Sequence, residues 1–179
     1  MHPLQGTESM VDPIRHANDR NFIESILRYV PGFRGYLEQE YRRESDFLLR
    51  TWLADKLHGG KKGLDEFLLK LVSAMKLDDL PQFERVRSKL DGLIGKIRSA
   101  ERGYSAAFAY VRIREDELDS IYQLDKGLVA EAETLAGALD QLGGADPQRA
   151  GELATNLVRQ IDEFDKRFGQ RVELLRGVN

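Results

Sequence analysis

Residues 118–142 read LDSIYQLDKGLVAEAETLAGALDQL and carry the longest unbroken helical pattern in the chain. Apolar residues recur there at alternating spacings of three and four, with one acidic residue standing at an apolar position. This seam comprises Leu118, Ile121, Asp125, Leu128, Ala132, Leu135, Leu139 and Leu142. Such a repeat places its members on one face of an α-helix. The stretch therefore predicts a long amphipathic helix packed against a neighbouring helix.

Helical periodicity extends through most of the remaining sequence. Apolar faces of helical period begin near Phe22, Leu37, Leu64, Phe83 and Leu153, and Gly or Pro residues separate them. No segment alternates apolar and polar residues over five or more positions, as a strand does. Short connections between long amphipathic helices favour antiparallel neighbours. The sequence thus predicts an all-α fold, an antiparallel bundle of about five or six amphipathic helices with coiled-coil-like seams.

The second helix is expected to run from about Gly35 to His58. Its apolar residues predict a buried stripe with Trp52 in the main core, and further leucines beside that stripe. The stripe comprises Leu37, Tyr41, Leu48 and Trp52, with Leu49, Leu53 and Leu57 alongside. The glycine-rich residues 57–63 that follow predict either a loop or the C-cap of this helix.

Length and composition indicate one folded domain. With 179 residues, 41% hydrophobic content and a net charge of −3, the chain can bury a core and is not of a disordered type. Residues 1–12 are polar and are expected to form a disordered N-terminal segment, leaving 13–179 as a single helical-bundle domain. The sequence has no run of about 18 apolar residues, so we expect no membrane-spanning helix. The missing secretory signal and the absence of cysteine favour the cytoplasm.

The residue types needed for catalysis or for a cofactor do not converge in the sequence. Cysteine is absent and only three histidines occur, none in a Glu-x-x-His pattern. Residues 59–62, Gly-Gly-Lys-Lys, lack the spacing of a phosphate-binding loop. We therefore expect no catalytic residue, no metal and no cofactor, although an enzyme with a site in the bundle core remains a third alternative.

Charge is unevenly distributed along the chain. Residues 81–102 carry a net charge of +3 and residues 114–146 a net charge of −7. This pattern favours two adjacent helices that complement each other, over an acidic face for a basic partner. A pI of about 5.7 and the lack of a known module argue against nucleic-acid binding. Residues 42–62 form a locally basic strip interleaved with acids, which leaves weak contact with a membrane surface as an alternative.

Two glycine–aromatic corners and the seam aspartate are the candidate interaction or structural residues. The corners contain Phe33 and Tyr36, and Tyr104 and Phe108. They either pack together to close one end of the bundle, cap separate helix pairs, or expose an aromatic patch to a partner. Residues 103–113 lack a clear period and are read as a short helix or a tight corner. Asp125 is expected to fix register or meet a partner charge rather than to act in catalysis.

The most distinctive residues carry a family resemblance. Residues 31–36 read Pro-Gly-Phe-Arg-Gly-Tyr, and residues 42–50 follow an Arg-Arg-x-x-Asp-x-x-Leu-Arg pattern. With residues 100–104 and 111–118, this signature resembles a family of uncharacterised bacterial helical proteins over about residues 20–142. The resemblance implies an all-helical fold and assigns no activity, so no catalytic residue is carried over from it.

The function expected from the sequence is a non-catalytic helical interaction or scaffold module, with a protein partner or self-association. The first alternative is a peripheral regulator at a membrane surface, or an accessory protein of a stress system. The latter rests on a looser similarity to long-helix scaffold proteins. No small-molecule ligand is indicated.

Overall fold

The chain folds as a bundle of α-helices, as its periodicity predicts. The computed structural model describes residues 13–100 and 114–177, and no strand occurs within them. The helices are α1 Pro13–Leu27, α2 Gln39–Gly59, α3 Lys61–Ser73, α4 Leu80–Ser99, α5 Glu115–Leu142 and α6 Ala150–Gly177. Short 3-10 turns, Leu77–Asp79 and Pro147–Arg149, lead into α4 and α6. The predictions for residues 1–12 and 103–113 lie outside the described residues.

The four longest helices surround one hydrophobic core. α2 packs against α4 and α5, and α6 packs against the same two helices from the other side. Lys89 of α4 pairs with Asp162 of α6. Further along both helices Lys96 pairs with Asp165, so α4 and α6 run parallel. α5 and α6 are joined by a short turn and run antiparallel. In this ring α4 lies across from α5, and α2 lies across from α6.

Of the two readings of residues 57–63, the loop is wrong and the helix C-cap is confirmed, because Gly60 caps the C-terminal end of α2. α2 continues to Gly59 and α3 begins at Lys61, with Gly60 alone between them. Gly60 itself keeps a helical backbone, with φ −65° and ψ −14°. Gly60 and Gly63 lack a side chain where Leu139 approaches, and this allows α5 to come close to the junction of α2 and α3.

α3 covers the core at one end of the ring, against α4 and α5. A side chain at Gly63 would collide with the backbone of Leu139, so the absence of one lets α3 lie directly on α5. Phe67 of α3 packs on Phe83 of α4 with ring centroids 4.9 Å apart. α1 packs along α5 on the outside of the ring.

α2 buries a different face from the one its apolar residues predict. Leu53 is fully buried, whereas Leu37, a member of the predicted stripe, is exposed. Trp52, predicted to lie in the main core, is only partly buried at its edge, where its ring meets Tyr29 edge-on at 5.8 Å. The reason is that polar residues occupy part of the buried face of α2. These are Arg42, Ser45, Asp46 and Arg50.

The segment between α1 and α2 turns tightly before α2 starts. Gly32 and Gly35 have φ of +85° and +82°, a region that side chains rarely adopt. A Cβ at Gly35 would also meet the hydroxyl of Tyr122. Because this backbone is not helical, α2 begins at Gln39 rather than near Gly35, and the turn directs Tyr36 into the core.

Candidate functional site

A cluster of polar side chains is buried near the end of the bundle where α2 begins and α6 ends. Arg171 is at its centre and is 0% exposed. We call Tyr36, Asp46, Asp125 and Arg171 the buried ion-pair cluster. Asp46 is supplied by α2, Asp125 by α5 and Arg171 by α6, and Tyr36 by the turn before α2. Residues far apart in the sequence therefore meet at one point of the core.

The guanidinium of Arg171 binds two carboxylates and a hydroxyl. Its Nε donates to Asp125 Oδ1 at 2.5 Å. Its Nη1 lies 2.9 Å from Asp46 Oδ1, and its Nη2 donates to the Tyr36 hydroxyl at 3.0 Å. That hydroxyl in turn donates to Asp125 Oδ2 at 2.5 Å. Both oxygens of Asp125 thus accept a hydrogen bond, as a buried charge requires.

Arg50 extends the cluster to the fourth helix of the ring. Its Nε donates to Asp46 Oδ2 at 2.8 Å. Its Nη1 reaches the carbonyl oxygen of Ile97 at 3.5 Å, in the last turn of α4. Carbonyls at the C-terminal end of a helix attract cations. Polar contacts therefore join α2, α4, α5 and α6 at this level of the bundle.

The backbone of Tyr36 is held as firmly as its side chain. Its N–H donates to the hydroxyl of Tyr122 at 2.8 Å, and its carbonyl accepts from Arg42 Nε at 2.7 Å. The rings of Tyr36 and Tyr122 are stacked with centroids 5.4 Å apart. The turn between α1 and α2 is thereby fastened to α5.

Burial determines the protonation state of the cluster. Burial, followed by the charge of Asp125, raises the pKa of Tyr36 well above its ordinary value, so the hydroxyl keeps its proton and donates it. Burial also raises the pKa of Asp125, and the ion pair with Arg171 opposes that rise. Burial lowers the pKa of Arg42 as well. The members bind each other and line neither of the two clefts considered below. The arrangement is suited to fixing helix positions.

Three of the five sequence-predicted site residues lie in this region. Phe33 and Tyr36 are buried and meet edge-on at 5.4 Å, so they do not form an exposed aromatic patch. Tyr36 and Asp125 are brought into direct contact. Tyr104 and Phe108 lie outside the described residues, and the meeting of the two corners stays a prediction.

Sequence reasoning missed Asp46, Arg50 and Arg171 as members of the cluster. A signal for Arg171 was present, because it continues the three–four seam of α6 between Phe168 and Leu175. The apolar Val172 beside it also fits the seam, since it lies four residues after Phe168 and three before Leu175. An apolar residue is the expected member of such a seam, and it hides the role of Arg171. In α2, Asp46 and Arg50 belong to the basic strip interleaved with acids, a pattern that is also typical of a solvent-exposed face.

The basic strip at residues 42–62 is not a continuous surface. Arg42 and Arg50 are 7% and 3% exposed and belong to the core. Lys56 pairs with Glu133 at 2.9 Å, and Lys61 pairs with Asp91 at 2.7 Å. Four of the six cations of this strip are therefore engaged within the protein, and its contact with a membrane surface stays a prediction.

The prediction that the basic helix α4 complements the acidic helix α5 as its neighbour is wrong. The two helices lie across the ring from each other. The cations of α4 instead pair with carboxylates of α2, α3 and α6. These pairs are Arg98–Asp55, Arg87–Asp65, Lys89–Asp162 and Lys96–Asp165. The acids of α5 are met from α2 and α6, so charge matching is real but involves other helices.

The described residues contain neither a metal site nor a membrane-spanning helix. Across residues 13–100 and 114–177, no group of three His, Cys, Asp or Glu side chains is placed to hold a metal ion. No helix in the same ranges combines the length and apolar character of a membrane span. No protein-family model, curated protein or solved structure matches the chain. The family resemblance of residues 31–50 stays a prediction.

Proposed function

We propose that this protein is a non-catalytic helical interaction or scaffold module that binds a protein partner at the C-terminal end of α3. The observation that carries the proposal is a group of exposed apolar side chains, which we call the α3 patch. It comprises Leu69, Val72, Met75 and Leu77, which are 69%, 50%, 78% and 50% exposed.

The α3 patch is distinct from the face by which α3 joins the core. Leu64, Phe67 and Leu71 of α3 are completely buried against the bundle. Leu69 and Val72 lie on the outer side of the same helix, so the end of α3 is apolar on both sides. Folded monomers rarely expose contiguous apolar surface without a use for it. An exposed methionine suits an adaptable protein interface, because its side chain is flexible and polarizable.

The surroundings of the α3 patch indicate the chemistry of the partner. Lys70 and Lys76 lie beside it, and neither forms an ion pair with a carboxylate of the described residues. Asp78 and Asp79 follow Leu77 directly, so the rim of the patch carries both signs of charge. An amphipathic helix whose apolar face is flanked by acidic and basic residues would complement the patch and this rim. A second copy of the chain is included among the partners that this proposal allows. We place the module in the cytoplasm, and the absence of cysteine agrees with a reducing compartment.

The buried ion-pair cluster supports the non-catalytic part of the proposal. Its charged atoms are used to bind each other across four structural elements. Catalytic groups are instead found in clefts, where they reach a substrate. The cluster therefore serves as scaffolding for the surfaces of the bundle.

The test is cross-linking and quantitative mass spectrometry of the tagged protein in extracts of its source cells. Leu69→Glu combined with Met75→Glu should deplete the specific partners at least about tenfold, because two apolar contacts are lost and charge is introduced. The matched control is Phe47→Glu, which changes an apolar side chain 49% exposed on α2. Melting curves should show that both variants stay folded.

Light scattering after gel filtration covers the case in which the partner is a second copy. Partners, or a dimer, that persist unchanged in the double variant would overturn the proposal. Equal losses with Phe47→Glu would do so as well, since the effect would then not belong to the α3 patch.

A further inference from the structure

A cleft between the end of α1 and the middle of α5 has the composition of a binding site for an organic anion. Its volume is about 310 Å³, at the lower end of the roughly 300–1,000 Å³ typical of small-ligand sites. The residues that matter for its chemistry are Ile26, Arg28, Tyr29, Lys126, Val129 and Ala130. It lies on the outside of the ring and does not include the α3 patch.

The two cations of the cleft lack a counter-charge. Arg28 lies just beyond the end of α1 and Lys126 on α5, and neither forms an ion pair with a carboxylate in the described parts of the chain. The ammonium of Lys126 is 5.9 Å from the centre of the Phe22 ring. Two cations from different elements that line one cleft favour the binding of an anion in it.

The cleft also has apolar walls. Ile26 and Val129 are almost completely buried, and Ala130 and the ring of Tyr29 complete the lining. A ligand that bound only the two cations would leave the apolar walls exposed to water. A purely apolar ligand would leave the two cations without an ion pair. The lining therefore matches a molecule with both an anionic group and an apolar group.

The charge of α5 indicates which anion. Lys126 is the single basic residue of this helix, against eight acidic ones. These acids repel a doubly charged phosphate about twice as strongly as a singly charged carboxylate, so the carboxylate is the anion that Arg28 and Lys126 hold with less opposition. We propose that the cleft binds a carboxylate attached to a compact apolar group, either a free acid or the C-terminal residue of a protein.

Another cleft among the described residues, between α5 and α6, shows why the first is the better candidate. It has a volume of about 270 Å³ and is lined by Glu131, Arg159 and Glu163, among others. Its arginine is already paired with Glu163 at 2.9 Å. No free cation is left there to attract a carboxylate.

The protein contains a natural reporter for occupancy of the cleft. Trp52 is its one tryptophan, and Tyr29, which lines the cleft, contacts its ring. Hexanoate, titrated into the full chain at constant ionic strength, should change the fluorescence of Trp52 in a saturable way. Hexanamide, the uncharged isostere, should bind at least about tenfold more weakly, since it lacks the charge. Calorimetry of the same titrations gives a readout that is independent of Trp52.

Variants localise the binding. Arg28→Gln and Lys126→Gln should each weaken hexanoate about tenfold, the usual effect of losing one charge-assisted hydrogen bond. Ala130→Phe should abolish binding by filling the cleft while keeping both cations. Arg85→Gln, an exposed arginine at the start of α4, is the control and should bind like the wild type.

The two sources of the carboxylate are separated by a short peptide ending in leucine, compared with its C-terminal amide. Saturable binding of hexanoate supports a free acid, and binding of the peptide acid alone supports a protein terminus. The proposal is overturned if neither acid saturates, if the amides bind as tightly, or if the cleft variants bind like the control. Leu69→Glu with Met75→Glu should not affect hexanoate, so a failure here leaves the α3 patch untouched.

Discussion

Arg171 lies between Asp46 and Asp125 and forms an ion pair with both carboxylates. All three side chains are at most 1% exposed. Water therefore cannot replace the hydrogen bonds that are lost when one partner is removed. Removing one member of a buried ion pair costs much more than the pair itself contributes, because the remaining charge is left uncompensated.

The first prediction concerns the loss of Arg171. Arg171→Met should lower the free energy of unfolding by about 3–5 kcal/mol, because two buried carboxylates lose their shared cation. Urea denaturation followed by circular dichroism measures the change. Arg159→Met is the matched control on the same helix, since that arginine is exposed, and it should leave stability nearly unchanged. A small effect of Arg171→Met would show that the cluster does not hold the helices together.

The second prediction concerns Tyr36 at high pH. In the unfolded chain Tyr36 loses its proton near pH 10, whereas burial raises its pKa in the folded chain. Above pH 10 the unfolded state therefore binds fewer protons than the folded state. The contribution of Tyr36 to stability then falls as pH rises, by at most about 1.4 kcal/mol per pH unit.

Tyr36→Phe removes this dependence. The variant should be less stable than the wild type near neutral pH, because the hydroxyl bridges Asp125 and Arg171. The difference in unfolding free energy between the two proteins should narrow as pH rises above 10. Urea titrations at several pH values measure it. A difference that stays constant into the alkaline range would contradict the burial of a protonated hydroxyl.

At the scale of single helices, some glycines lie where two helices touch, and others lie on faces that no neighbouring helix covers. Gly63 lies where α3 touches the backbone of Leu139, whereas Gly92 of α4 has open space where a side chain would be. Both residues are within helices, so their intrinsic helix propensity is the same.

The third prediction compares these two glycines. Gly63→Ala should destabilise by about 1–3 kcal/mol, because the new methyl group pushes α3 away from α5. Gly92→Ala should instead stabilise by up to about 1 kcal/mol through better helix propensity. Thermal melts of both variants measure the two effects. If both changes raise the melting temperature, α3 is not packed on α5 as described.

The helices themselves could be predicted from the sequence, and their exact faces could not. Long apolar seams, with Gly or Pro residues between them, predict α3 to α6. The face of α2 was placed wrongly because Asp46 and Arg50 look like surface residues until Arg171 is known to meet them. A partner more than a hundred residues away cannot be found from local periodicity.

At the scale of the whole molecule, the buried ion-pair cluster and Arg50 connect the four helices of the ring. α3 packs on α4 and α5 next to the C-terminal end of α2. No helix of the ring can move away without breaking a polar contact or exposing the core. We therefore expect the bundle to unfold as a unit.

The fourth prediction follows from this connection. Unfolding in urea, observed by Trp52 fluorescence and by far-ultraviolet circular dichroism, should give coincident transitions. Trp52 reports on α2 and its contact with Tyr29, whereas circular dichroism reports on all helices. A fluorescence change at clearly lower urea would show that α2 detaches from the remaining bundle.

The position of Arg171 near the end of α6 also has a consequence for biosynthesis. A ribosome completes Asp46 and Asp125 well before Arg171, since synthesis proceeds from the N-terminus. During that interval α2 and α5 bring two like charges toward the same point, and each raises the energetic cost of the other. Stable pairing of these helices in the nascent chain is therefore disfavoured until α6 has emerged. Of these three helices α6 is the last to be translated, and it is the one that permits α2 and α5 to close.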